Sequence, residues 1–113
     1  MSKVTDTISW SISFSIRDKT MYLGGMTRLT ANGIAVKIVL GKSRAYEFIL
    51  KKHAEELYSM YRTEMVDAYL KHYHKMLNVS MPVREFILNN RTAVTAILVE
   101  TNVHQPQIPD SWD

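Results

Sequence analysis

Residues 8–17 read ISWSISFSIR, so that an apolar residue and a serine alternate until the stretch ends at Arg17. Alternation with a period of two is typical of a β-strand that turns one face toward a hydrophobic core. The opposite face carries only serines, whereas a strand in contact with water normally carries charged residues that block pairing with other chains. We therefore predict that the serine face is covered, either by the helices of the same chain or by another copy of the sheet.

A second copy of the chain is the cover that we favour. Small residues allow two strands or two sheets to approach closely, and an uncharged strand lacks the usual protection against intermolecular pairing. The sequence therefore predicts a homodimer whose contact surfaces are the first strand, with Ser11 and Ser13, and the long helix described below.

The N-terminal third of the chain is predicted to form a β-meander. Asn32-Gly33 is typical of a tight hairpin turn and would join a strand near residues 26–30 to one at 34–40. Gly24-Gly25 indicates a bulge or a sharp bend. The meander therefore has three strands, or four if the two glycines interrupt one of them.

A long helix is predicted to follow the meander. Residues 43–78 contain neither glycine nor proline and have a helical period, with Ser43 positioned as the N-cap. A straight helix of that length would measure about 54 Å, which exceeds the diameter of about 35 Å expected for a compact chain of this size. We therefore expect the helix either to protrude or to bend, near Ser59 or near Thr63.

Tyrosines and methionines form one stripe along this helix, at Tyr58, Tyr61, Met65, Tyr69 and Tyr73. Such a stripe most often packs against a sheet. Tyrosine and methionine are also enriched at protein interfaces, and leucine would fill a core without a hydroxyl group to satisfy. Both interpretations, core packing and an interface, stay open at the level of the sequence.

The C-terminal part is predicted to add a short helix and a strand. Ser80 and Pro82 indicate a helix start, and the helix should end near residue 90. Residues 92–103 are rich in β-branched residues and should return to the sheet as a strand, although their spacing also fits a helix. The predicted fold class is α+β: an antiparallel sheet packed by one long or broken helix and a shorter one, in a single domain at 1–103.

The charge is divided between a basic body and an acidic tail. Residues 1–91 hold all 14 basic residues and eight of the 11 acidic ones, whereas residues 92–113 hold three acidic residues and no basic one. Residues 104–113 contain two prolines and lack periodicity, which predicts an extended tail. Ile108 and Trp112 would then anchor the tail on a partner protein, unless the tail folds back and Trp112 covers the body.

Several kinds of chemistry are disfavoured by the sequence. The chain contains no cysteine, which excludes disulfides, thiol catalysis and cysteine-bound zinc. His72 and His74 are two positions apart and point away from each other on a helix, which argues against a metal site. No catalytic motif is present. We therefore predict a non-enzymatic protein without a cofactor or metal, and the lack of a long apolar run or a signal-like N-terminus predicts a cytoplasmic location.

Basic residues near the predicted helix starts form a candidate anion site. Gly41-Lys42-Ser43 ends as a P-loop does, but Val36 stands where that motif requires its first glycine, which argues against nucleotide triphosphate hydrolysis. Free N–H groups at a helix start, assisted by basic side chains, nevertheless attract anions. The candidate anion-binding residues are Lys42, Ser43, Arg44, Arg84 and Arg91.

By elimination, the chain is interpreted as a small protein-binding accessory factor of the kind that viruses and mobile elements carry, which would inhibit or redirect a host protein. The predicted protein interface consists of Ser11, Ser13, Tyr58, Tyr61, Tyr69, Tyr73, Ile108 and Trp112. Two alternatives stay open. One is a nucleic-acid-binding protein, because the body is basic, and the other is a protein that sequesters a small phosphorylated ligand at a subunit interface.

Overall fold

A computed structural model describes residues 7–29 and 33–103 of the chain and confirms the α+β class. Its four strands form one antiparallel sheet in the order β3-β2-β1-β4, and the chain also contains one long and one short α-helix. The elements are β1 (Thr7–Ile16), β2 (Lys19–Arg28), β3 (Ile34–Val39), α1 (Lys51–Leu77), α2 (Val83–Asn90) and β4 (Thr95–Val103). The predicted tail, with Ile108 and Trp112, lies outside the described residues.

The predicted meander is present as three strands, with a bulge at the two glycines. β2 continues through Gly24-Gly25, and its pairing with β3 shifts register between Leu23 and Gly25. A Cβ on Gly24 would lie 2.6 Å from Cγ1 of Val39, so this position requires glycine for close packing of the two strands. β2 and β3 pair as a hairpin, but the predicted tight turn at Asn32-Gly33 does not fit their register. Such a turn would pair residues 31 and 34, whereas Ile34 pairs with Arg28 and the N–H of Leu29 donates to the carbonyl of Gly33. Asn32 itself lies outside the described residues.

The long helix begins eight residues later than predicted, at Lys51, with Leu50 as its N-cap residue. Ser43 lies in a 3-10 turn, Lys42–Arg44, and residues 45–50 are not helical. The reason is tertiary. β1 and β2 are paired only from Ser13↔Tyr22 to Ile16↔Lys19, and residues 46–48 bond to both strands beyond that point, which outweighs the local preference for helix.

α1 bends at Tyr61, between the two bend positions that the sequence left open. Tyr61 has φ −124° and ψ 29°, which are not helical values. Both halves of the bent helix contribute to one core: Ala54 comes from the first half, and Met65 and Tyr69 come from the second half. The bend therefore lets a helix that is too long for a compact domain pack on the sheet along both halves.

The C-terminal predictions are confirmed in their main features. Residues 95–103 form a strand rather than a continued helix, and β4 pairs with β1 over its whole length, from Thr7↔Val103 to Ser15↔Thr95. α2 ends at Asn90 as expected, although Pro82 rather than Ser80 is its N-cap residue. No helix among the described residues is long and apolar enough to cross a membrane.

Candidate binding surfaces

The serine face of β1 is covered within a single chain. Ser9, Ser11 and Ser13 are at most 3% exposed. Ser9 Oγ donates to Glu47 Oε1 at 2.8 Å, and Lys42 Nζ donates to the carbonyl of Glu100 on β4 at 3.4 Å. The connection between β3 and α1 therefore helps to cover these serines, a cover that the sequence did not indicate.

This burial bears on the predicted dimer interface. Ser11 and Ser13 belong to that prediction, and in the single chain their side chains have almost no accessible surface left for a partner. Ser13 Oγ lies 3.4 Å from the carbonyl of Ile97, whereas the buried Ser11 Oγ has no hydrogen-bond partner among the described residues. An interface at these two serines stays a prediction.

The tyrosine stripe mainly packs in the core. Tyr69 is fully buried and Tyr73 nearly so, while Tyr58 and Tyr61 are half-buried. The Tyr69 hydroxyl donates to the carbonyl of Lys19 at 2.6 Å and accepts from the N–H of Ile16 at 3.0 Å, so it clamps the β1–β2 hairpin. Burial raises the pKa of Tyr69 above its ordinary value of 10.0.

The kink pocket is an open depression where α1 bends past the far ends of β2 and β3. Its volume is about 470 Å³. The buried side chains of Leu23 and Phe48 form part of its wall, and the exposed side chains of Arg28 and His53 supply polar groups. The lining residues are Leu23, Gly25, Met26, Thr27, Arg28, Ile34, Tyr46, Phe48, His53, Leu57 and Tyr61.

The segment that contributes to the kink pocket carries exposed apolar side chains. The ring of Tyr46 is 51% exposed and meets the ring of Phe48 edge-on, with 4.8 Å between centroids. Ile49 and Leu50, which follow in the same segment, are also exposed. Aromatic, methionine and arginine side chains together are the composition that protein interfaces favour.

The basic groove lies between α1 and α2 and contains two of the candidate anion-binding residues. Arg84 and Arg91 line it together with Lys71 and Asp67. Arg91 forms a two-pronged ion pair with Asp67, at 2.8 Å and 2.6 Å, which raises the pKa of the guanidinium. Lys71 and Arg84 are the other two cations of this groove, and no described acidic side chain bonds to either of them.

The other candidate anion-binding residues do not join the basic groove. Lys42, Ser43 and Arg44 all lie in the 3-10 turn after β3, and all three are exposed. Lys42 instead donates to the Glu100 carbonyl. The five candidates are thus divided between two places, because the structure separates the turn that holds Ser43 from the helix start at Lys51.

Sequence reasoning missed the kink pocket because four separate segments build it. β2 supplies residues around the bulge, β3 supplies Ile34, residues 46 and 48 come from the connection, and α1 supplies residues next to its bend. The two glycines and the excessive helix length were the available signals, since each indicated an irregularity. Nothing in the sequence indicated that the two irregularities would face each other.

Neither metal chemistry nor a known relative assigns a function to these surfaces. The described residues contain no cluster of three or more His, Cys, Asp or Glu side chains that could hold a metal ion. No protein family, curated protein or solved structure matches the chain.

Proposed function

We propose that the protein is a non-enzymatic binding protein. It holds in the kink pocket a peptide segment of a partner protein that carries apolar residues next to an acidic one. The observation that supports this function is the pocket itself, an open apolar depression of about 470 Å³ between the β2 bulge and the α1 bend. Pockets that bind ligands commonly measure about 300–1,000 Å³ and combine apolar walls with a few polar groups. An origin in a virus or mobile element stays a prediction.

The chemistry of the lining supports a peptide with apolar anchors. Tyr46, Phe48 and Tyr61 provide flat aromatic surfaces, and Met26 is a flexible side chain that adapts to different partners. Tyr46 is both exposed and seated on Phe48, so its ring can contact a partner without first being uncovered. These features are typical of the few aromatic residues that dominate the binding energy of an interface.

The charge of the lining supports an acidic partner. None of the lining residues is acidic, while the exposed Arg28 carries a positive charge. An arginine can bind a carboxylate through two parallel hydrogen bonds, which gives orientation as well as affinity. We therefore expect the bound segment to carry an Asp or Glu next to its apolar anchor.

Selection from a random-peptide display library on the pure protein would test the proposed function. We expect enriched peptides to share one or two large apolar residues beside an acidic residue. Tyr46→Ser and Arg28→Glu should each weaken binding of the enriched peptides about tenfold or more, as measured by fluorescence polarisation, because binding energy concentrates in central aromatic and arginine contacts.

Matched controls are available in the basic groove. Leu88 is 56% exposed, close to the 51% of Tyr46, and Arg84 is an exposed arginine like Arg28. Leu88→Ser and Arg84→Glu should leave binding of the enriched peptides unchanged. If they weaken binding as much as the pocket variants do, or if no peptide is enriched, the proposed function is wrong.

A second candidate function, binding of a small phosphorylated ligand, rests on the basic groove. Lys71 and Arg84 line a groove with apolar side chains at Val83, Ile87 and Leu88. Calorimetric titration with inorganic phosphate and with adenosine monophosphate would test it, with loss of binding expected in Arg84→Glu and retention in Tyr46→Ser. Nucleic-acid binding stays a prediction from the basic composition.

A further inference from the structure

β4 is an edge strand that lacks the usual protection of sheet edges. It is nine residues long and occupies one end of the strand order, and no described strand pairs with its outer side. Its sequence, TAILVETNV, contains no proline and no lysine, and Glu100 is its one charged residue. Natural proteins normally protect such an edge with lysine, proline or a bulge, because unpaired backbone groups attract another strand.

The hydrogen bonds of β1 determine which groups of β4 face outward. Trp10 exchanges both backbone bonds with Phe48, on the side of β1 opposite to β4. The odd-numbered residues of β1 must therefore bond to β4, because neighbours along a strand point to opposite sides. Consistent with this, Ser13 Oγ lies 3.4 Å from the carbonyl of its β4 partner, Ile97.

The even-numbered residues of β4 consequently direct their N–H and C=O groups away from β1. These residues are Ala96, Leu98, Glu100 and Asn102. The one hydrogen bond that a described side chain makes to their backbone is the long one from Lys42 to the Glu100 carbonyl, at 3.4 Å. The outer edge of β4 is thus ready to accept another strand.

Apolar surface accompanies this open edge. On the serine face, Ile97 is 55% exposed. A depression of about 170 Å³ between α1 and the β4 edge is lined by Ile12, Tyr58, Ala96, Ile97 and Leu98, with Glu55 as its one charged residue. The depression stays open because α1 packs mainly on β1 and β3 rather than on the β4 edge.

We propose that a second copy of this chain pairs with β4 edge to edge, so that two sheets join into one of eight strands. Two antiparallel copies of Thr95–Val103 overlap completely when the two-fold axis passes through Val99. In that register Leu98 lies opposite Glu100 of the partner subunit, and both present outward-facing groups that can exchange hydrogen bonds. Ile97 lies opposite Thr101 of the partner subunit.

The register is favoured by charge as well as by length. An axis through Glu100 would place two carboxylates directly opposite each other, which destabilises a strand pair. An axis through Ile97 or Leu98 would leave the C-terminal residues of β4 without a partner. The Val99 axis avoids both costs, and it leaves the kink pocket open because residues of β2, β3, α1 and the connection line that pocket.

Cysteine cross-linking can test this register directly, because the natural chain contains no cysteine. Residues opposite each other in a pair without hydrogen bonds have Cα atoms about 4.5 Å apart, which a disulfide can bridge. Oxidised Val99→Cys should therefore run at twice the mass of one chain on a non-reducing gel. Thr101→Cys should stay at the mass of one chain, since its two sulfurs would be displaced by four residues, or about 14 Å.

A mixture of two variants provides a further check that does not depend on Val99. Ile97→Cys and Thr101→Cys should each stay at single-chain mass when oxidised alone, yet form a cross-linked dimer when mixed, since these positions face each other only across the proposed axis. If Thr101→Cys alone cross-links as completely as Val99→Cys, the register is wrong. If the natural chain has single-chain mass by light scattering at all soluble concentrations, the dimer is overturned.

Discussion

Trp10 and Phe48 exchange both of their backbone hydrogen bonds, at 2.8 Å and 2.7 Å, although they belong to segments 38 residues apart along the chain. This pair closes the gap that opens where β1 and β2 diverge, with the help of a bond from the Tyr46 N–H to the Leu23 carbonyl. It also fixes Phe48 in the wall of the kink pocket. This pairing between distant segments thus determines where α1 begins and places Phe48 in the lining of the pocket.

Amide hydrogen exchange should alternate along residues 46–49. The N–H groups of Tyr46 and Phe48 are bonded, whereas those of Glu47 and Ile49 have no bonding partner among the described residues. We expect slow exchange at the first two positions and fast exchange at the other two, measured by NMR. Uniform protection from residue 46 onward would instead indicate that the helix begins near Ser43, as the sequence alone predicted.

Removing the Tyr69 hydroxyl should destabilise the β1–β2 hairpin. The hydroxyl bonds the N–H of Ile16 and the carbonyl of Lys19, and Tyr69→Phe leaves both groups without that partner. We expect the free energy of unfolding to fall by about 1–3 kcal/mol in urea denaturation. Tyr58→Phe is the matched control, because no hydrogen bond of its half-buried hydroxyl is present among the described residues. Equal losses in the two variants would contradict the clamp.

Because of the same hydroxyl group, the free energy of unfolding should depend on pH in the alkaline range. Burial raises the pKa of Tyr69 above 10.0 in the folded chain, so the folded state favours the neutral form. The stabilisation that comes from this raised pKa is complete below pH 10, where Tyr69 is neutral in both states. It is lost as the pH rises through the pKa of Tyr69 in the folded chain, because Tyr69 ionises at a lower pH in the unfolded chain. The stability of the natural chain should therefore fall more steeply above pH 10 than that of Tyr69→Phe. Parallel curves would refute this assignment.

Two neighbouring serines on the covered face of β1 should respond differently to truncation. Ser9→Ala removes a 2.8 Å hydrogen bond to Glu47 and should cost about 0.5–1.5 kcal/mol. Ser11→Ala removes a buried hydroxyl without a described partner, so stability should stay equal or rise by about 1 kcal/mol. Chemical denaturation of the two variants checks this, and a larger loss at Ser11 would show that its hydroxyl is bonded after all.

Glycine is required at position 24 for packing. Alanine there would bring its Cβ to 2.6 Å from Cγ1 of Val39, a stiff β-branched side chain. We expect Gly24→Ala to lower the free energy of unfolding by about 1–3 kcal/mol, as overpacking does. At Gly41, φ is −107° and the nearest atom would be 3.7 Å away. Gly41→Ala should therefore be tolerated, and an equal loss there would point to general effects of losing glycine.

Local patterns in the sequence were sufficient for most of the fold. The alternation in residues 8–16 predicted β1, the two glycines predicted the bulge in β2, and the β-branched residues after 92 predicted β4. Each of these features depends on neighbours along the chain, so periodicity and turn chemistry reveal it. The site is different, because the kink pocket depends on contacts between four segments.

The sequence by itself determined that this chain forms an α+β domain, with a first strand whose serine face is covered and a long helix that must either bend or protrude. Only the tertiary structure decided that the chain's own β3–α1 connection helps to cover the serines, that α1 begins at Lys51, and that it bends at Tyr61. The physical reason is that burial and backbone bonding between distant segments outweigh local helix preference, which amounts to less than about 1 kcal/mol per residue. Backbone bonds to Trp10 and Leu23 therefore keep residues 45–50 out of the helix, against their own helix propensity.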